Sequence, residues 1–299
     1  MPVNPVRFVT AASLFDGHDA AINIMRRLLQ SQGAEVIHLG HNRSVDEIVT
    51  AVVQEDVQGV AVSSYQGGHT EYFRYLVDRL RVEGCGHVRI YGGGGGVIVP
   101  AEIEALHAYG VARIFSPEDG QRMGLAGMIN SMIEACDVDP VVATTSLDDV
   151  VAGSHRALAR LLTAVECGRV PAPLLAEVHV LAARRTVPVL GITGTGGSGK
   201  SSLTDELVLR LRLDQQDKLR IAVIAIDPTR RRGGGALLGD RIRMNALGTD
   251  QVFFRSLATR GASTEVPPCL PDVIASCRAA GFDLVIVETP GIGQGDAAI

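Results

Sequence analysis

Two groups of residues in this 299-residue chain have types and spacings that can do chemistry. The first is the run Gly194, Thr195, Gly196, Gly197, Ser198, Gly199, Lys200, Ser201, Ser202. It follows the apolar stretch 187–193 and leads into the helical-looking segment 202–209. Glycines there let successive backbone N–H groups turn toward one anion, and the start of a helix adds partial positive charge. Lys200 is placed to reach the outer phosphates and the Ser201 hydroxyl to meet a magnesium ion. This strand, loop and helix predict binding of a nucleoside triphosphate. The second group is Asp16, Gly17 and His18, with Ser63 to His69 and the five glycines Gly92 to Gly96 further on. His18 can present one ring nitrogen to a metal while Asp16 accepts the proton of the other, which fixes the tautomer and raises basicity. On spacing alone such a histidine is more often merely exposed, and five glycines can be only a flexible loop.

Elements must bring these residues together. In residues 1–137 short Val- and Ile-rich runs alternate with amphipathic stretches, which predicts a parallel sheet with crossover helices. Strands are expected at 6–12, 35–40, 59–64, 88–93 and 112–116. Ile22, Met25, Leu28 and Leu29, and again Tyr72, Tyr75, Leu76 and Leu80, recur at helical spacing. Five strands and five helices make a flavodoxin-like α/β unit. In a sheet of order 2-1-3-4-5 the loops after the first, third and fourth strands line one crevice, where the strand order switches and ligands settle. Glycines there let a ligand lie against backbone.

Residues 138–185 read as a linker followed by a helical connector, with Leu158, Leu161, Leu162 and Val165 on one face and Pro171 and Pro173 as breaks. Residues 186–299 read as a P-loop domain with strands near 187–193, 221–226, 252–256 and 283–287. A nucleotide-binding domain of this kind usually carries a further strand and a base-reading loop. The expectation is therefore a truncated domain whose final sheet edge is exposed.

Three acids accompany the glycine loop. Asp227 ends a strand and suits a switch touching a magnesium shell. Glu288, followed by Thr289, Pro290 and Gly291, has the form of an acid-turn-glycine switch, although ordinary strand turns look the same. Asp240 serves equally as the cap of a helix starting there. Arg230, Arg231 and Arg232 are either a solvated basic loop or, through one of them, a reach toward phosphate or a partner domain.

Composition sets outer limits. The net charge is −5, Trp is absent and, Arg230 to Arg232 apart, no basic tract of nucleic-acid type is present, which argues against nucleic acid as a partner. No apolar run approaches the ~20 residues that cross a bilayer, so a cytoplasmic protein without a membrane partner is expected. Cys85, Cys136, Cys167, Cys269 and Cys277 are scattered and are expected to be reduced thiols.

The first 137 residues resemble the cobalamin-binding domain of the acyl-CoA mutases and methionine synthase, whose pattern is D-x-H-x-x-G, S-x-L and a glycine pair. Here these fall at Asp16 and His18, at Ser63, and at Gly93 and Gly94, while Ala21 and Tyr65 stand where the family has Gly and Leu. The resemblance implies His18 as the lower ligand of cobalt, with the cofactor's nucleotide tail between loops holding Ser63, Tyr65, Gly93 and Gly94. From about Ser154 onward the chain resembles the SIMIBI-type GTPase chaperones of methylmalonyl-CoA mutase. This resemblance implies GTP, Ser201, Asp227, Asp240 and Glu288 around magnesium, and Lys200 and Glu288 in hydrolysis. No N-K-x-D loop is present, so the base is implied by resemblance alone.

The two domains in this order resemble the fused isobutyryl-CoA mutases. That implies adenosylcobalamin, conversion of isobutyryl-CoA to butyryl-CoA on a barrel outside this chain, a GTPase gating cofactor loading, and a homodimer. A stand-alone cobalamin-carrying GTPase and a cobalamin-responsive regulator are the alternatives.

Overall fold

The β-branched runs of the first half do form strands, because a strand buried on both faces of a parallel sheet needs side chains that are apolar throughout. A computed structural model describes residues 2–141, 146–229, 235–260 and 266–291, apart from the Asp240 side chain. The chain divides into two compact units, Met1–Val53 with Val57–Asp139 and Arg232–Leu237, and Gln54–Asp56 with Pro140–Arg231 and Leu238–Ile299.

The first unit runs β1 (Arg7–Ser13), α1 (Ala20–Ser31), β2 (Glu35–Arg43), α2 (Val45–Glu55), β3 (Gly59–Ser63), α3 (His69–Val82), β4 (Arg89–Gly93), α4 (Pro100–Tyr109), β5 (Arg113–Phe115) and α5 (Pro117–Cys136). These five strands are parallel in the order β5-β4-β3-β1-β2, as expected, so the ends of β1, β3 and β4 open side by side. Phe8, Val36, Leu29, Ile129 and Met132 fill the core on the face covered by α1 and α5. On α3, Tyr72, Leu76 and Leu80 are buried, but Tyr75 stands exposed. Helix α5 breaks at Gly124, whose backbone leaves the helical region at φ 65° and ψ 165°.

The second unit holds α6 (Leu147–Val151), α7 (His155–Glu166), α8 (Ala172–Ala183), β6 (Val189–Ile192), α9 (Lys200–Asp214) and β7 (Ile221–Asp227). After the short β8 (Ala236–Leu238), whose first two residues belong to the first unit, come β9 (Val252–Ala258), α10 (Leu270–Ala279) and β10 (Leu284–Glu288). Strand β8 extends the first sheet beside β2. Leu158, Leu161, Leu162 and Val165 are all buried, in one core with Phe253, Leu257 and Val285. The second sheet is parallel in the order β6-β10-β7-β9. The last strand in the chain, β10, lies inside this sheet, and β6 stands at one of its edges with Val189 and Leu190 exposed. Among the described residues no helix is long and apolar enough to cross a membrane.

A buried and a half-buried histidine link this packing to pH. Burial draws the His38 ring, which meets Thr10 Oγ1 at 2.9 Å, down to about 4. Burial, with Arg220 nearby, does the same for His155. An unfolded histidine takes up its proton near pH ~6.5, so between there and pH 4 the unfolded chain binds more protons and stability falls as pH drops. The expected loss is on the order of 2 kcal/mol per histidine across that window. In urea titrations His38→Gln should lose less stability than the unaltered chain between neutral pH and pH 4.5, and an equal loss would refute the assignment.

Candidate functional site

At the end of β1 the chain turns so that the Asp16 N–H donates to the Ser13 carbonyl at 3.0 Å, which brings the Asp16 carboxylate beneath the loop. That carboxylate is buried and accepts three hydrogen bonds. Its Oδ1 takes the backbone N–H of His18 at 2.9 Å and faces His18 Nδ1 at 2.9 Å. Its Oδ2 takes the Tyr65 N–H at 2.6 Å, so the loops after β1 and β3 share one anion. The His18 side chain is 77% exposed while that of Asp16 is fully buried. With the Nδ1 proton held by Asp16, Nε2 presents its lone pair outward. The Tyr65 ring lies 5.5 Å from the imidazole, centre to centre.

Beside this loop a cavity of about 390 Å³ opens between α1, the ends of β3 and β4, and α5. Its wall is largely apolar, including Met25, Phe115 and Met128, with Ser63, Tyr65, Gly93 and Gly94 on the loop side. Ala21 also lines it, so both positions that depart from the family pattern shape this wall. The Ser63 hydroxyl is buried with no hydrogen-bond partner among the described residues, an arrangement that costs free energy unless a ligand supplies one. Its neighbour is satisfied, because Ser13 Oγ donates to Ser64 Oγ at 2.9 Å.

The glycine run is no slack loop. Ser64 N–H donates to the Gly93 carbonyl at 2.9 Å, and a β-carbon on Gly94 would strike the Ser64 carbonyl oxygen. One on Gly95 would strike the Tyr65 ring. Gly93 has room and no left-handed backbone, its added carbon meeting only Phe115 O at 3.5 Å. Gly94→Ala is therefore expected to lower stability by about 2 kcal/mol or more through backbone displacement, whereas Gly93→Ala should leave the melting temperature nearly unchanged. Thermal melts showing equal effects would contradict this. Further out, the buried His69 ring joins the same two segments, with Nδ1 3.0 Å from Gln66 O and Nε2 3.0 Å from Glu102 Oε2.

In the second unit β6 delivers the glycine loop and α9 begins at Lys200. Gly194, Gly197 and Gly199 adopt φ of 153°, 78° and 89°, which permits the turn that points N–H groups inward. Gly196, Gly197, Ser198 and Gly199 are exposed, as is Ser202, while Ser201 is buried. The Lys200 ammonium folds over the loop and donates to the carbonyls of Gly194 and Thr195, each at 3.1 Å. Glu288 ends β10 beside β6, and its buried carboxylate accepts from Ser201 Oγ at 2.7 Å. Thr204 Oγ1, one turn along α9, lies 2.9 Å from the other carboxylate oxygen. Asp227 ends the neighbouring strand β7.

Lys200, Ser201 and Glu288 are thus gathered at one end of one sheet. Asp240 opens a four-residue 3₁₀ turn whose cap is Gly239, not Asp240, and its side chain lies outside the described residues, as do Arg230, Arg231 and Arg232. Among the described residues no three His, Cys, Asp or Glu side chains form a ready metal cage. Sequence reasoning missed Thr204. The signal was its position three residues after Ser201, which places both hydroxyls on the same helix face.

Known proteins resemble both units. The B12 binding domain family matches residues 6–124, and the methylmalonyl-CoA mutase-associated GTPase MeaB family matches residues 158–299. The fused isobutyryl-CoA mutase of Cupriavidus metallidurans is 69% identical over 299 residues, covering 100% of this chain and 27% of that protein. The one from Nocardia farcinica is 70% identical over 298 residues, covering 100% of this chain and 28% of the relative. That of Geobacillus kaustophilus is 61% identical over 306 residues, again with 100% and 28% covered. The chain spans less than a third of the length of these relatives.

Proposed function

Because the chain belongs to the fused isobutyryl-CoA mutase family and carries its B12-binding and MeaB-type GTPase domains, we propose that it is the cofactor-holding and nucleotide-hydrolysing part of such a mutase. The observation that carries this reading is the His18 imidazole, held through Nδ1 by the buried Asp16 with Nε2 open. His18 would hold the cobalt of the cofactor. The residues present suit the group in a second way: the cavity beside the loop is apolar enough for a heterocyclic base, and Ser63 holds an unused hydroxyl for a polar atom of the tail. Bound adenosylcobalamin would supply the radical for carbon-skeleton rearrangement.

The chain's own residues have narrower tasks. Asp16 holds the His18 proton on Nδ1 and ties the imidazole to the loop of Tyr65. Lys200 would leave the carbonyls of Gly194 and Thr195 for the outer phosphates of GTP, and the N–H groups of residues 194–202 would bind the same phosphates. Glu288 accepts the Ser201 hydroxyl hydrogen, and the oxygen of that hydroxyl would meet magnesium. Asp227 and Asp240 would complete that shell, directly or through water. Hydrolysis would gate cofactor loading by shifting the switch segments between two states.

Acyl-CoA binding, dimerisation and a cytoplasmic setting belong to the same proposal for the longer protein. The test is an assay for conversion of isobutyryl-CoA to butyryl-CoA by a polypeptide of the relatives' length that contains this chain, supplied with adenosylcobalamin. Activity that His18→Ala abolishes is expected. Full activity in that variant would refute the reading.

A further inference from the structure

Phe15 immediately precedes Asp16 and is 84% exposed, among the most exposed large apolar side chains of the described residues. Its backbone is left-handed, with φ 63°, a conformation that an aromatic residue seldom adopts. The conformation is held from outside: the Phe15 N–H donates to Asn42 Oδ1 at 2.8 Å, and Asn42 at the end of β2 is itself left-handed at φ 56°. Neither feature is needed to shape the turn. A glycine or asparagine at position 15 would form it with less strain and would expose no ring. The Asp16 bonds to Ser13, His18 and Tyr65 involve no atom of the Phe15 side chain. The fold therefore presents an aromatic ring to solvent three residues before an outward-facing imidazole, at cost in both exposure and conformation.

We propose that Phe15 is a ligand-contact residue whose ring packs on the flat, largely apolar corrin macrocycle of the cobalamin that His18 would hold. The inference rests on the cobalamin reading above and adds to it a second point of contact, outside the cavity that would take the nucleotide tail. A broad macrocycle suits an exposed ring, because covering one face of a phenyl group removes apolar area from water without asking for any polar partner.

The test uses Phe15→Asn, since asparagine tolerates the left-handed backbone and removes only the ring. Phe15→Leu serves as the conservative variant, and thermal melts verify folding of both. In titrations with cobalamin, Phe15→Asn should bind about tenfold more weakly than the unaltered chain, the contact being of the size expected for partial burial of one aromatic face. Its bound corrinoid should keep the unaltered chain's absorption spectrum, and Phe15→Leu should recover most of the affinity. Equal affinity in Phe15→Asn would overturn the proposal and assign the ring to another surface. A changed spectrum in Phe15→Asn would also overturn it, by showing that Phe15 acts on the His18 loop. If the unaltered chain binds no corrinoid, the cobalamin reading itself fails and takes this contact with it.

Discussion

His18→Ala is expected to lower corrinoid affinity by more than about 100-fold and to remove the histidine-ligated absorption spectrum, with triphosphate binding unchanged. The magnitude follows from the arrangement. Loss of an outer partner behind a ligating histidine costs about 10–100-fold in metal affinity, and loss of the ligand itself must cost more. Asp16→Ala should fall within that smaller range, because it frees the imidazole from the 2.9 Å contact at Nδ1 and cuts the tie to the Tyr65 N–H. The His18 side chain is largely exposed, with the Tyr65 ring beside it, so the variant should fold as the unaltered chain does. Corrinoid titration followed by absorbance separates the outcomes: equal effects of the two substitutions would mean that His18 is not the ligand.

Lys200→Ala is expected to weaken triphosphate binding by about 1.5–3 kcal/mol, the worth of a charge-assisted hydrogen bond. That corresponds to roughly 10–150-fold in the dissociation constant. The ammonium now bridges the carbonyls of Gly194 and Thr195, which places it over the mouth of the loop and within reach of an anion there. Because those carbonyls are at the surface and can turn to water, the substitution should cost little stability. Titration calorimetry with GTP and magnesium measures the difference, and unchanged affinity would count against the phosphate-loop assignment.

Much of this arrangement was legible in the residues. The strands expected at 6–12, 35–40 and 59–64 show themselves because parallel strands buried on both faces admit little but apolar, β-branched side chains, whereas residues 41–43, exposed or half-buried at the end of β2, carry no such signal. The order of the first sheet then followed from crossover rules, and with it the meeting of the His18, Ser63 and Gly93 loops. The second sheet was harder. Its order is not sequential, and nothing local to Leu284–Glu288 tells that β10 inserts between β6 and β7. Strand β8 is three residues long, too short for any period to register. The glycine run was legible as a site but not for its full reason: Gly94 and Gly95 are required by the Ser64 carbonyl and the Tyr65 ring, contacts between loops that no sequence pattern reports. Thr204 and the His69–Glu102 pair were missed for the same cause, since each acts through a partner far along the chain.

The central claim is that one imidazole of this chain ligates cobalt. Electron paramagnetic resonance of the chain loaded with cobalamin in its cobalt(II) state tests it most directly, with and without ¹⁵N-labelled histidine. A nitrogen splitting that changes with the label, and is lost in His18→Ala, is the result expected. A spectrum indifferent to the label would contradict the account, because the metal would then be held by the cofactor's own base or by water.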